Sequence, residues 1–187
     1  SPSSASATIT NDDAGVSVAV SPSSVTEDGA TNLTYTFTRV GDTSGSLTVS
    51  FSIGGSASFG VSPNDYTQTG ATSFTPPTGT VTFSPGSPTA SVIVDPEADS
   101  TVEGDETVTL TVTAGAGYNV GVPSSATGTI LNDDADVSVT VAPSSVTEDG
   151  TTNLVYTFTR TGFTGGALTV NFTVGGTADF GASPNDY

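Results

Sequence analysis

The chain of 187 residues has no cysteine, methionine, tryptophan or histidine, and only two basic residues against 19 acidic ones, a net charge of -17. Without cysteine there is neither a disulfide nor a thiolate metal site, so the redox compartment goes unreported. Phosphate recognition depends on Lys and Arg, and with Arg39 and Arg160 alone, so acidic a surface repels nucleic acid and anionic lipid, and nucleic-acid binding is excluded. No apolar run approaches the length of a membrane span, so no direct membrane insertion is expected of this segment. The N-terminus lacks the charged and apolar regions of a secretion signal, so any such signal would lie outside it. Without His, Cys or Lys, the one enzymatic candidate is a carboxylate pair such as Glu103 and Glu106. These share a short acidic loop, not the two walls of a cleft, and no enzyme is expected.

What is present is a repeat. "NDDAGVSVAVSPSSVTEDGATNLTYTFTR" begins at Asn11 and "NDDADVSVTVAPSSVTEDGTTNLVYTFTR" at Asn132, 121 residues on, and the match runs without a gap to Tyr66 and Tyr187. The same offset lays "PSSASATIT" from Pro2 over "PSSATGTIL" from Pro123. The expected organisation is residues 1–13 as the last strand of a preceding repeat, 14–134 as one complete repeat, and 135–187 as the first half of a following one. Within the complete repeat, apolar residues alternate with Ser and Thr: Val16, Val18, Val20; Leu33, Tyr35, Phe37; Leu47, Val49, Phe51, Ile53. A period of two marks half-buried strands. Further strands are expected around Val81 and Phe83, Val92 and Val94, Val108 to Val112, and Thr129 to Leu131, with Gly, Pro, Asn and Asp between them. Low hydrophobic content and high charge would suit a disordered chain, but this regular alternation argues for a folded one. The predicted fold is all-β, an immunoglobulin-like antiparallel β-sandwich of about seven strands, repeated in tandem. Pro22 and Pro143 interrupt the first strand of each repeat, which places that strand at a sheet edge.

The acids fall in the connections. Glu27 lies in the first, Asp65 in the third and the stretch from Asp99 to Glu106 in the fifth, while Asp133 and Asp134 follow the seventh strand. Connections of alternate parity share one end of an antiparallel sandwich, so these groups are expected to converge there. Convergent carboxylates repel unless a hard divalent cation joins them. Asp95, Glu97, Asp99, Thr101, Glu103 and Glu106 also match EF-hand spacing, but Ser100 stands where the sharp turn needs Gly and the flanks read as strands, so that motif is set aside. Each acid has a simpler reading: "TEDG" as a solvated turn with Gly29 supplying a positive φ, and Asp133 and Asp134 as charges that keep strand edges soluble. Arg39 and Arg160 are expected to brace an acidic or carbonyl group in each repeat. "NLT" at Asn32 and "NFT" at Asn171 match glycosylation acceptors but at different repeat positions, and are read as chance.

Several of these motifs together resemble the Calx-beta domains: "VTEDG" at Val25, the Arg and Gly of "TRVGD" at Arg39, "GSASFGVSPNDY" ending at Tyr66, "GTVTFSPG" at Gly79, "VEGDE" at Val102 and "ATGTILNDD" at Ala126. The second copy reads "GTADFGASPNDY". The resemblance implies a Ca2+ site formed by Glu27, Asp65, Asp99, Glu103, Glu106, Asp133 and Asp134, with a backbone carbonyl from Thr101. Glu148 and Asp186 would belong to an incomplete second-repeat set, and Asp12 and Asp13 to the preceding repeat. Asn132 and Ala98 depart from acids common in the family, which implies one or two ions and not the fullest version. The expected role is a calcium-stabilised spacer in a long bacterial array, extracellular or at the cell surface, as in an adhesin, matrix or fibre protein. Its partners would be neighbouring repeats and other copies in the fibre. The alternative is a calcium-sensing regulatory module of a membrane transporter.

Overall fold

The computed structural model describes residues 3–8, 13–178, 180 and 181. It divides into two compact units, Ser1–Asp99 with Gly104–Asp133, and Ser100–Glu103 with Asp134–Tyr187. Among the described residues there is no helix long and apolar enough to cross a membrane.

The first unit is a sandwich of two sheets. One has the order β10 (Tyr118–Val120), β1 (Ala14–Ser21), β3 (Leu33–Val40), β8 (Thr89–Pro96), β5 (Tyr66–Thr69). The other has the order β2 (Ser24–Thr26), β11 (Ser125–Leu131), β9 (Glu106–Val112), β4 (Leu47–Gly55), β7 (Thr78–Phe83), β6 (Ser73–Thr75). The seven strands expected from alternation are the seven long ones; β2, β5, β6 and β10 are short additions of three or four residues. The inward positions form a single core of Val16, Val18, Leu33, Tyr35, Phe37, Val49, Phe51, Val81, Phe83, Val92, Val94, Val108 and Leu110, all buried. The alternate Ser and Thr residues face outward and bond across strands, as in Thr48–Thr82 (3.0 Å), Thr109–Thr127 (2.8 Å) and Thr111–Ser125 (2.8 Å). Cross-strand hydroxyl pairs stabilise the sheet without introducing charge.

The expected edge strand is more elaborate than Pro22 alone suggests. The chain leaves the first sheet at Ser21 and enters the second at Ser24, so one run contributes to both sheets. β2 lies at an edge, parallel to β11, but the start of β1 is covered by β10, also in parallel. Alternation along β1 carries no information about a three-residue partner a hundred residues away.

Two features fix the interior. The Tyr35 hydroxyl crosses from β3 to the opposite sheet, donating to Val108 O (2.6 Å) and accepting from Gly128 N (3.0 Å), two residues directly opposed in the β9–β11 ladder. Arg39, 3% exposed, donates to four carbonyls: Nε to Ser87 (2.8 Å), Nη1 to Gly45 (2.9 Å), and Nη2 to Thr43 (2.9 Å) and Ser84 (3.1 Å). Its guanidinium also lies 5.3 Å from the centre of the Phe83 ring. The expected bracing role is thus exercised on four carbonyls, a use suited to a rigid fork of N–H donors with no acceptor.

In the second unit, β12 (Ala135–Ala142) pairs with β13 (Val155–Gly162), setting Val137 opposite Arg160 and Val139 opposite Phe158. The first unit sets Val16 opposite Arg39 and Val18 opposite Phe37, the same register 121 residues earlier. Here Arg160 Nη1 donates to Gly166 O (2.7 Å), and Val139 and Phe158 are exposed.

Candidate metal centre

The acid-bearing segments of the first unit are positioned by ordinary strand ends. β2 and β11 run parallel and end together, Thr26 beside Leu131, and Glu27 N continues the ladder by one bond to Leu131 O (3.0 Å). Glu27 is thereby carried to the end of the sandwich and is only 7% exposed. The turn that follows departs from expectation. Gly29 has no positive φ; a Cβ there would lie 2.5 Å from Thr26 Oγ1 and 3.2 Å from Thr26 O, so the position needs glycine for space and not for backbone conformation.

Asp65, 8% exposed, is held from several directions. Its amide donates to Ser58 O (3.1 Å), its Oδ2 accepts from Ser58 N, and its carbonyl accepts from Glu97 N (3.0 Å). An aromatic cluster anchors the next residue: the Tyr66 ring packs on Phe59 (5.3 Å) and Phe74 (6.3 Å), and Phe59 meets Phe74 at 4.8 Å. Burial, then the nearby Asp65 charge, push the Tyr66 phenol up to about 12. Asp99, Thr101 and Glu103 occupy the loop between β8 and β9, with Asp99 and Thr101 exposed and Glu103 half-buried, and Glu106 opens β9. Asp95 and Glu106 both lie in strands, consistent with setting the EF-hand aside.

Within the first unit two pairs of acids form, Glu27 with Asp99 and Asp65 with Glu106, each residue offering one carboxylate oxygen within 4.8 Å of its partner's, while Glu103 and Asp134 belong to the second unit. Asp133 belongs to neither; its Oδ1 accepts from Asp28 N (3.3 Å). Asp105, not singled out from the sequence, accepts from Asn132 N (3.3 Å). Nothing in the alternation or the loop composition distinguishes these two amide-binding carboxylates from their neighbours. Asp13 and Glu148 are exposed and outside both groups, and Asp12 and Asp186 lie outside the described residues.

The donor set fits a hard divalent cation: only carboxylate oxygens converge, with no imidazole or thiolate to favour a softer metal. Two carboxylate oxygens at 4.8 Å, the outer limit within each pair, repel by roughly 3–4 kcal/mol at an effective dielectric near 20, and closer ones by more. A bound cation reverses the sign of that interaction.

No family model matches the chain, and no curated protein matches it. It is similar to solved Calx domains. The apo form of the Calx CBD1 domain aligns at 21% identity and TM-score 0.45, over 64% of this chain and 99% of that one. CBD12 from CALX1.2 aligns at 22% identity and TM-score 0.46, and the calcium binding domain CBD12 of CALX1.1 at 25% and 0.46, each over 63% of this chain. This chain spans 45% and 44%, respectively, of those two structures.

Proposed function

We propose that the chain is a calcium-binding structural repeat from a long bacterial array, displayed outside the cell or on its surface, in which Ca2+ stiffens the joints between successive repeats. The observation that carries the calcium assignment is the pairing of acids from distant parts of the sequence within the first unit, Glu27 with Asp99 and Asp65 with Glu106, with Glu27 and Asp65 buried. An acidic surface that merely kept the protein soluble would spread its charges, because separation lowers their mutual energy.

The array reading rests on the repeat and on the brevity of its joint. Between Leu131, ending one repeat's last strand, and Val137 in the next repeat's first lie only Asn132, Asp133, Asp134, Ala135 and Asp136, too few for a flexible tether. Acids at the exit recur because each joint requires its own set. The role is binding and mechanical, not catalytic, with neighbouring repeats and other copies in a fibre or matrix as partners.

Scanning calorimetry of the full chain tests the metal. Calcium is expected to raise the melting temperature, since a ligand that binds only the folded state stabilises it by mass action, and Glu106→Gln removes most of the rise. A melt indifferent to calcium and chelator overturns the assignment. For the joint, small-angle scattering of a polypeptide with several repeats is expected to show a stiff rod in calcium and a more flexible chain in chelator. Equal dimensions in both would confine the ion to a role inside each domain. That outcome would favour a sensing module over a spacer.

A further inference from the structure

We infer that Asp133 is a positioning residue and not a calcium ligand: its carboxylate holds the turn that presents Glu27, together with Asp105, which holds the exit of β11. The inference rests on the calcium reading above. The parallel β2–β11 ladder ends at Thr26 and Leu131, and the Glu27 amide makes its last backbone rung on Leu131 O. Beyond that point two further amides are met by side chains. Asp28 N donates to Asp133 Oδ1 and Asn132 N donates to Asp105 Oδ1, both at 3.3 Å. The Asp133 carboxylate thus continues the β2–β11 ladder as a side-chain rung, and the Asp105 carboxylate continues the β9–β11 ladder beyond its last pair, Ile130 with Glu106. The amide of Glu27 is tied to the last residue of β11 and that of Asp28 to Asp133, two residues beyond it, which fixes the backbone on either side of the Glu27 side chain and aims it toward Asp99.

Such a rung needs an acceptor oxygen, not a charge, so asparagine substitutes for aspartate in it. A calcium ligand behaves otherwise, because affinity follows the number of charged ligands. The two roles are therefore separated by comparing the amide with the alanine variant. Calcium alone is titrated calorimetrically into the full chain carrying Asp133→Asn, Asp133→Ala, Asp105→Asn or Asp105→Ala, and each variant is also melted in chelator.

The expected result is that both asparagine variants bind calcium within about threefold of the parent, whereas the alanine variants lose about tenfold, the size of a lost hydrogen bond. In chelator the alanine variants melt lower and the asparagine variants do not. If Asp133→Asn loses as much affinity as Asp133→Ala while melting like the parent in chelator, Asp133 is a ligand and the inference is overturned, with the calcium reading intact. If the parent takes up no calcium, the proposed function fails, and the melts in chelator still decide the inference. Lower melting of Asp133→Ala, spared in Asp133→Asn, supports the rung, and equal melting of all three overturns it.

Discussion

Replacing Tyr35 with Phe removes a single oxygen from the centre of the sandwich. The ring is fully buried and would stay so, so the apolar packing is unchanged. What disappears is the one atom that serves two backbone groups of the opposite sheet, Val108 O at 2.6 Å and Gly128 N at 3.0 Å. A buried polar group left without its partner costs about 1–3 kcal/mol, so the expected loss is about 2–4 kcal/mol. That corresponds to a fall of roughly 10 °C or more in melting temperature for a domain of this size. Urea denaturation of the full chain followed by circular dichroism reads the change as a lower midpoint at unchanged slope. Gly128 supplies an internal control, since a Cβ there would lie 2.6 Å from Leu33 Cδ1 and 2.8 Å from Tyr35 Oη. Gly128→Ala is expected to destabilise the parent more than it does the Tyr35→Phe background, where the Oη contact is gone, and a double-mutant cycle measures that difference. A loss below about 0.5 kcal/mol for Tyr35→Phe would refute the reasoning, because a loss so small is within what a neutral exposed substitution produces.

Arg39→Lys is expected to cost about 3 kcal/mol, since an ammonium cannot satisfy carbonyls distributed around a planar fork, and thermal denaturation measures it. Trypsin has only Arg39 and Arg160 to act on, and limited digestion is expected to cut after the partly exposed Arg160 well before the buried Arg39; early cleavage at Arg39 would show that β3 opens locally. Alkaline pH is expected to destabilise the first unit. Tyr66 has its phenol raised to about 12, and Tyr35 is raised by burial, so the folded chain holds these protons more tightly than the unfolded one. Stability present below about pH 10 is therefore lost as pH rises toward 12, which a falling urea midpoint across that range would show.

The long strands were legible because each half-buried strand of a two-layer fold imposes the same constraint along its length. Val16, Val18, Tyr35, Phe37, Val49 and Phe51 all lie at the alternate positions from which their burial was read. The short strands impose no such period. Three residues such as Tyr118–Val120 join β1 through tertiary pairing alone, and the crossing of the chain between sheets at Ser21–Ser24 is set by what lies on either side. At the acid-rich end, topology could predict that the connections converge, because strand parity fixes the end at which each emerges. It could not pair Glu27 with Asp99 and Asp65 with Glu106, nor separate Glu27 from Asp133, since both are acids beside strand ends and differ only in which neighbour each faces. Gly29 has the same lesson at smaller scale: a glycine after Glu-Asp suggests backbone conformation, whereas the Thr26 hydroxyl makes it a matter of room.

The parallel run of β2 beside β11 has a mechanical consequence. The first of these strands lies near the start of the sandwich and the second at its end, so tension along the polypeptide draws them past each other in opposite directions. The rungs at Ser24–Thr129, Val25–Ile130 and Thr26–Leu131 lie across that pull and bear it together, where a hairpin would surrender its bonds one at a time. One place where the repeat resists load is thus a short shear patch that ends at the turn carrying Glu27, and whatever holds that turn adds to the force the domain withstands.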